Sequence, residues 1–254
     1  MVDFKKFLLK PLMLAALLLA FAACERTEEP AAPDYQIIAA PTEAVMTVDG
    51  LLDEPAWQSA QTVTLAENRA GTAVSDSAVL TRVKTCYNPA TLYIAFVCND
   101  PDIWSTFTQR DEHLWEEEAV EVFLDTDREP STYVEIEVSP ANVLFDSYIV
   151  DPVHIDVPAT KQYDLSAIQT AVAVEGTLNR RDDRDRRWTV EIAIPLAEVI
   201  KDAKGVVPGQ TSWRINFYRI NADGGGESAY YAWSPTGARF HKPEVFGVVR
   251  FGGR

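Results

Sequence analysis

The chain has 254 residues, 47% of them hydrophobic, with 15 prolines, 12 glycines and three cysteines. That length and apolar content suit one large β domain, or two small ones, around a packed core. The 38 acidic and 23 basic side chains leave a net charge of −15 with no long basic stretch. This excludes nucleic acid as a partner and disfavours an anionic membrane surface. A neutral or cationic partner suits such a charge, and sugars belong to that group.

In chain order, Lys5, Lys6 and Lys10 precede an apolar stretch from Leu12 to Ala20, and Ala22 and Ala23 precede Cys24. The run is too short to cross a bilayer comfortably and ends in polar residues. Residues 1–24 resemble a bacterial lipoprotein signal, whose motif ends on a cysteine that is lipidated after cleavage. Phe21 departs from the pattern, which usually has leucine there. The resemblance implies a signal peptide over 1–23, a lipidated Cys24 and a cell-envelope location, without saying which membrane or face. A plain secretory signal cleaved nearby is the alternative. Cleavage takes away three lysines and one aspartate, moving the net charge from −15 to −17. Residues 24–36 are rich in Pro, Ala and Glu, lack an apolar period, and read as an extended tether.

Residues 37–254 read as one domain. Runs with apolar residues at period two predict strands over 81–88, 91–99, 119–125, 133–139, 143–150, 167–176, 187–195, 213–221, 228–234 and 246–251. With one short helical candidate, Leu196–Lys201, this predicts an all-β fold, a single antiparallel β-sandwich. In the first predicted hairpin, Asn88-Pro89-Ala90-Thr91 forms the turn. Pairing Tyr87 with Leu92 sets Cys86 opposite Tyr93, five residues from Cys98. At about 3.3 Å per residue that is too far for a disulfide, so two buried free thiols are expected. The run RRDDRDRR (180–187) balances its own charge and reads as a solvated hairpin loop. ADGGGES (222–228) is a loop with no helix after it, so a phosphate cradle is excluded.

The candidate chemistry concentrates in RDEHLWEEEAVEVFLDTD (110–127) and in strands of split character. Glu116–Glu118 read as a solvated edge. Within 119–125, Val120, Val122 and Leu124 take one face, and Glu121, Phe123 and Asp125 the other. Over 133–138, Val134, Ile136 and Val138 oppose Tyr133, Glu135 and Glu137. Over 213–218, Trp213, Ile215 and Phe217 oppose Arg214, Asn216 and Tyr218. This is the pattern of a sheet packed on one side only, its polar face either solvated or turned towards a hydroxyl-rich ligand. Sugars need planar donors and acceptors for their hydroxyls and aromatic planes for their C–H faces. Trp57, Trp188 and Trp213 read as core, whereas Trp104, Trp115 and Trp233 lie in or beside polar loops and are candidates for stacking.

Three stretches together, VDGLLDEPAW (48–57), RDEHLWEEEAVEVFLD (110–125) and the series WTVEIAIPL, WRINFYRIN, AWSPTG and FHKPEVFG (188–247), resemble the family 9 carbohydrate-binding modules and their DOMON-like relatives. The resemblance implies a jelly-roll-like β-sandwich of immunoglobulin-like sandwich architecture that binds a mono- or oligosaccharide. It also implies work alongside polysaccharide-degrading enzymes. Carried over by motif, Trp115 and Trp233 correspond to a clamp of two tryptophans, and Glu121 to a hydroxyl-binding glutamate. Arg219 and Tyr230 fall where the family has polar pocket residues, and Glu135 or Glu137 where it has a basic one. Arg219 shares strand parity with Phe217, so it reaches a ligand only from a bulge or an edge. The family often holds structural calcium, but no Asp-x-Asp-x-Asp loop here supports it independently, so no cofactor is expected.

Two other readings compete with a non-catalytic carbohydrate-binding lipoprotein that serves polysaccharide capture or degradation. A glycoside hydrolase would use paired carboxylates about 5–10 Å apart, for which Glu121 and Glu135 are candidates. A haem-binding DOMON-like domain would need a methionine, and the chain after cleavage has only Met46. There is no GxSxG motif, and His113, His154 and His241 lack the spacing of a zinc site.

Overall fold

Alternating apolar side chains on β-branched and aromatic segments assemble two sheets face to face. The computed structural model describes residues 35–200, 205–222 and 227–253, so the signal segment, Cys24 and the tether through residue 34 lie outside the described residues. The described strands are β1 (Gln36–Pro41), β2 (Thr62–Thr64), β3 (Ala66–Glu67), β4 (Thr81–Tyr87), β5 (Thr91–Asn99), β6 (Ala119–Asp125), β7 (Tyr133–Val138), β8 (Leu144–Ile149), β9 (Gln169–Glu175), β10 (Arg187–Pro195), β11 (Ser212–Asn221), β12 (Ala229–Ala232) and β13 (Gly247–Phe251). Short helices are α1 (Pro55–Ser59), α2 (Val157–Thr160) and α3 (Leu196–Val199). The last covers the helical candidate, whose Lys201 lies outside the described residues.

One sheet runs β8-β7-β6-β11-β13-β1 and the other β1-β4-β5-β10-β9. β1 belongs to both. Gln36–Ala39 pair with Val248–Phe251, then Ala40 and Pro41 pair with Cys86 and Tyr87, parallel in each case. The expected sandwich is therefore mixed and nearly closed, because this one strand stitches its two sheets together. β12 extends the first sheet along the second half of β11, and β3 pairs with β12.

The core lies between the sheets. Val120, Val122, Leu124, Val134, Ile136, Val138, Ile215 and Phe217 meet Leu92, Ile94, Phe96, Val190, Ile192 and Ile194 in one buried cluster. Each such side chain contributes about 1.5–3 kcal/mol by leaving water. The first hairpin has the expected register, Tyr87 opposite Leu92 and Cys86 opposite Tyr93. Asn88 Oδ1 closes its turn by accepting from the amides of Ala90 and Thr91. Cys86 and Cys98 are buried and free, and burial pushes both thiols up to about 12, so neither is a reactive thiolate.

The outer face of the β5/β10 sheet is sealed by the segment VDGLLDEPAW. Trp57 is buried and donates its indole N–H to Glu191 at 2.8 Å, and the same carboxylate accepts from the amides of Asp49 and Gly50. Gly50 has φ +83°, and a Cβ there would come within 2.6 Å of the Ala173 amide. This stretch is therefore structural.

Arg219 is fully buried and points between the sheets. It pairs with Asp100 at 2.6 Å, donates to the Asn99 carbonyl at 2.8 Å and to Thr81 at 3.1 Å, and also bonds Asn221. Removing one partner of a buried ion pair leaves an uncompensated charge. Asp100→Ala should lower stability by about 3–5 kcal/mol in urea unfolding; a loss under about 1 kcal/mol would mean that the Arg219 charge is satisfied without it.

Candidate functional site

The opposite face of the β6/β7/β11 sheet carries the candidate acids in register. Across β11, β6, β7 and β8 one row reads Tyr218, Glu121, Glu137, Phe145, and the next Asn216, Phe123, Glu135, Ser147. Antiparallel pairing thus sets Glu121 directly opposite Glu137, with Glu135 two residues before Glu137 on the same face. Oxygens of the three carboxylates lie within 4.8 Å of one another.

This face is not open to solvent as the alternation suggested. Glu121 is 2% exposed, Glu135 6% and Glu137 1%, because loops fold over them. Phe123, Tyr133, Tyr218 and Phe246 form an apolar cluster there, with Phe240 and Ile155 packed against it. Phe240 stacks on Tyr218 at 4.1 Å and accepts its hydroxyl at 2.9 Å through the backbone carbonyl. The Asn68 amide fixes the same loop, donating to the Gly237 carbonyl and accepting from the amide and hydroxyl of Thr236. Between loops and sheet remains a cavity of about 810 Å³, lined by the three glutamates, Trp115, Phe145, Tyr230, Phe240 and His241 among others.

Five of the seven residues singled out from sequence meet here: Trp115, Glu121, Glu135, Glu137 and Tyr230. The Trp115 indole stacks on His113 at 4.5 Å and meets Phe145 edge-on at 5.2 Å, so its plane is held. Tyr230 is 48% exposed at the cavity wall. Two expectations are corrected. Trp233 shares strand parity with Tyr231, faces the core at 4% exposure, and packs against Tyr35 and Phe217. Its ring covers Gly247, where a Cβ would overlap it. Arg219 stays on the inner face beside Phe217 with no bulge to turn it outwards, and Asp100 rather than a ligand neutralises it.

The 110–127 block is also less solvated than its charge implied. Glu117 is buried and accepts the Thr106 amide at 2.5 Å, and Glu118 is buried near Asp100, with burial pushing it up to about 10. Glu116 is exposed as expected. His241, Phe240 and Asn68 were missed as site residues. His241 is hydrogen-bonded to the Tyr133 hydroxyl at 2.6 Å and lies 3.9 Å from Glu135. The motif FHKPEVFG marked the segment, but nothing local told that it folds back over the sheet.

Electrostatically the floor is costly. Burial, then the neighbouring acids, raises Glu121 and Glu137 well above the ordinary carboxyl range, and burial lifts Glu135 to about 7 despite a 2.9 Å hydrogen bond from Ser147. No donor reaches either oxygen of Glu137, which instead shares its own proton with Glu135. Burial lowers His241 to about 4, so it is neutral near pH 7 and offers no compensating charge.

Fold and site together define a β-sandwich with a cavity of aromatic walls and acidic floor. A family model described as carbohydrate family 9 binding domain-like matches residues 48–254, and the chain belongs to that family. An extracellular protein of Arthroderma benhamiae is 28% identical over 179 residues, covering 67% of this chain and 78% of the relative. A family 9 carbohydrate-binding module from Caldicellulosiruptor kristjanssonii in complex with cellotriose superposes with a TM-score of 0.60 at 18% identity, covering 86% of this chain and 94% of that one. A putative carbohydrate-binding protein from Bacteroides uniformis gives 0.64 at 17% identity, covering 85% and 98%. Likeness at these identities establishes the fold.

A carboxyl raised in the folded state keeps its proton where the unfolded chain has lost it, so stability falls as pH rises above the unfolded value near 4.5. Glu137→Gln removes this effect at one position. The variant should exceed the native protein by about 1–3 kcal/mol at about pH 8, and the gain should vanish below about pH 4. Lowered His241 contributes an opposite slope below its ordinary value of 6.5, but equally in both proteins. Thermal melts across pH read the difference; a pH-independent gain would mean Glu137 is not held protonated.

Proposed function

We propose that the protein binds a saccharide in this cavity without cleaving it, with Trp115 and Tyr230 covering C–H faces of the ring and Glu121, Glu135 and Glu137 meeting its polar groups. The observation that carries this reading is the union, in one cavity of about 810 Å³, of held aromatic planes with a buried glutamate, Glu137, to which no protein group donates. That is the combination an amphipathic, hydroxyl-bearing ring requires. The family supports it, as does the Caldicellulosiruptor module, whose structures carry cellotriose and glucose.

The placement of the acids favours binding over hydrolysis. Glycosidic cleavage places two carboxyls on opposite sides of the scissile bond, about 5–10 Å apart. Here one oxygen from each of the three carboxylates lies within 4.8 Å of the others, and all three side chains rise from the same sheet face rather than facing one another across a bound ring. Glu67, also on the cavity wall, spends its oxygens on the amides of Arg69 and Ala70. The reading calls for no cofactor. Met46 packs in the cluster around Trp57, on the outer face of the other sheet, and offers no axial ligand to this cavity.

Calorimetry against a panel of neutral and charged mono- and oligosaccharides tests the reading. At least one should bind, and Trp115→Ala and Tyr230→Ala should each weaken it about tenfold. Trp233→Ala should instead lower stability by about 3–5 kcal/mol. A panel without a single binder would refute saccharide binding.

We place the protein at the bacterial cell envelope, held by a lipid on Cys24 and the 24–36 tether, where captured polysaccharide would meet degrading enzymes. The support is the pattern of residues 1–24. Cys24→Ser should move the protein from the membrane fraction to the soluble one, and unchanged fractionation would count against the anchor.

A further inference from the structure

Resting on the saccharide reading, we infer that the cavity takes a cationic sugar, with the ammonium group of an amino sugar seated among Glu121, Glu135 and Glu137. Two independent observations lead there. The first is the shape of the floor. Three carboxylates each place an oxygen within 4.8 Å of the others. Edges of at most 4.8 Å leave a point no more than 4.8 Å divided by √3, or about 2.8 Å, from all three oxygens, within reach of charge-assisted N–H···O bonds. An ammonium carries three donors and one positive charge, so one group serves all three acids. A neutral hydroxyl brings one donor and no charge.

The second is an orphan. Glu137 is 1% exposed, lines the cavity, and receives no donor at either oxygen, its one side-chain contact being the proton it shares with Glu135. Native structures rarely leave a buried carboxyl in that condition without a partner arriving from outside. Among the described residues no arginine or lysine forms an ion pair with any of the three acids. His241, the nearest basic ring, stands 3.9 Å from Glu135 and is lowered by burial to about 4. Arg69 and Arg239 lie at exposed positions on the cavity wall.

The rest of the cavity separates an amino sugar from a bare divalent ion. Calcium takes six to eight oxygens, at about 2.3–2.6 Å, which these three carboxylates reach only if every one binds through both oxygens, whereas Glu135 gives one of its own to Ser147. The cavity volume and the walls of Trp115 and Tyr230 suit a ring carrying the charge. The net charge of −15 would also draw a polycationic glycan towards the surface before docking. The acids are held up by burial and by one another, so an arriving ammonium displaces protons from the floor into solvent.

The test is calorimetry of the full chain at about pH 6, where an amine of this kind is protonated. The probes are a β-1,4-linked glucosamine trimer, its fully N-acetylated counterpart, cellotriose, and calcium chloride alone. The glucosamine trimer should bind at least about tenfold more tightly than either neutral trimer. Repetition in two buffers of different ionisation heat should reveal proton release for that ligand alone. Glu137→Gln, its fold checked by its melting transition, should lose most of the preference; should that variant not fold, the ratios within the native protein still decide. Equal or tighter binding of the neutral trimers overturns the cationic assignment and leaves saccharide binding standing. Tight calcium binding in the absence of sugar overturns it in favour of a metal. Binding of none of the four overturns the assignment, and failure across the wider panel also removes the saccharide reading.

Discussion

Antiparallel pairing of β6 with β7 sets Glu121 against Glu137, and the outer face of that sheet is organised around this unfavourable contact. Ionised acids directly opposite on a sheet repel, and burial strengthens the repulsion by removing water, so both are pushed towards keeping their protons. The flanking positions carry the compensation. Phe123, Tyr133 and Tyr218 alternate with the acids on the same face and give Phe240 and Phe246 an apolar surface to cover. That packing brings down the loop around residue 240, and Asn68 ties it from the far side. The cavity is what remains where the loop crosses the acids instead of the aromatics. The same strand alternation therefore produces both the floor of the site and the wall that hides it.

Much of this was legible in the sequence, because the period-two pattern fixes which side chains share a face. The faces of β6, β7, β10 and β11, the register of the first hairpin and the free buried thiols all follow from local spacing and side-chain type. β1 does not, since its parallel pairing joins residues 36–41 to strands beginning over 40 and 200 residues later. β3, two residues long, carries no period at all. Burial of the acidic face was illegible for a related reason: alternation divides two faces but is silent on what a distant loop lays over either. Glu117 and Glu118 illustrate this, each buried within a block that composition alone assigns to solvent.

Arg219 and Trp233 show how parity and motif can disagree. Motif placed both near a ligand, whereas parity aligned Arg219 with Phe217 and Trp233 with Tyr231, and parity prevailed. A bulge would have been needed to turn Arg219 outwards, and β11 stays in continuous pairing with β6 from Arg214 to Ile220. With Trp233 in the core, Tyr230 is the exposed aromatic that β12 presents to the cavity beside Trp115. The aromatic contribution to the site thus shifts three residues along the chain without leaving its hairpin.

Buried glutamates occur on both outer faces, and their hydrogen bonds tell their roles apart. Glu191, 2% exposed, accepts from two backbone amides and an indole, so its charge is answered within the fold and it holds a turn against a sheet. Glu137, 1% exposed, has no donor at either oxygen and lies beside two further acids, an oxygen of each within 4.8 Å. Burial raises both, yet only in Glu191 do protein donors work against the rise. A fold that can answer one strand-borne carboxylate so fully has no stereochemical need to strand another. What separates the two is where they point: Glu191 meets the amides and indole of its own fold, whereas Glu137 meets the cavity.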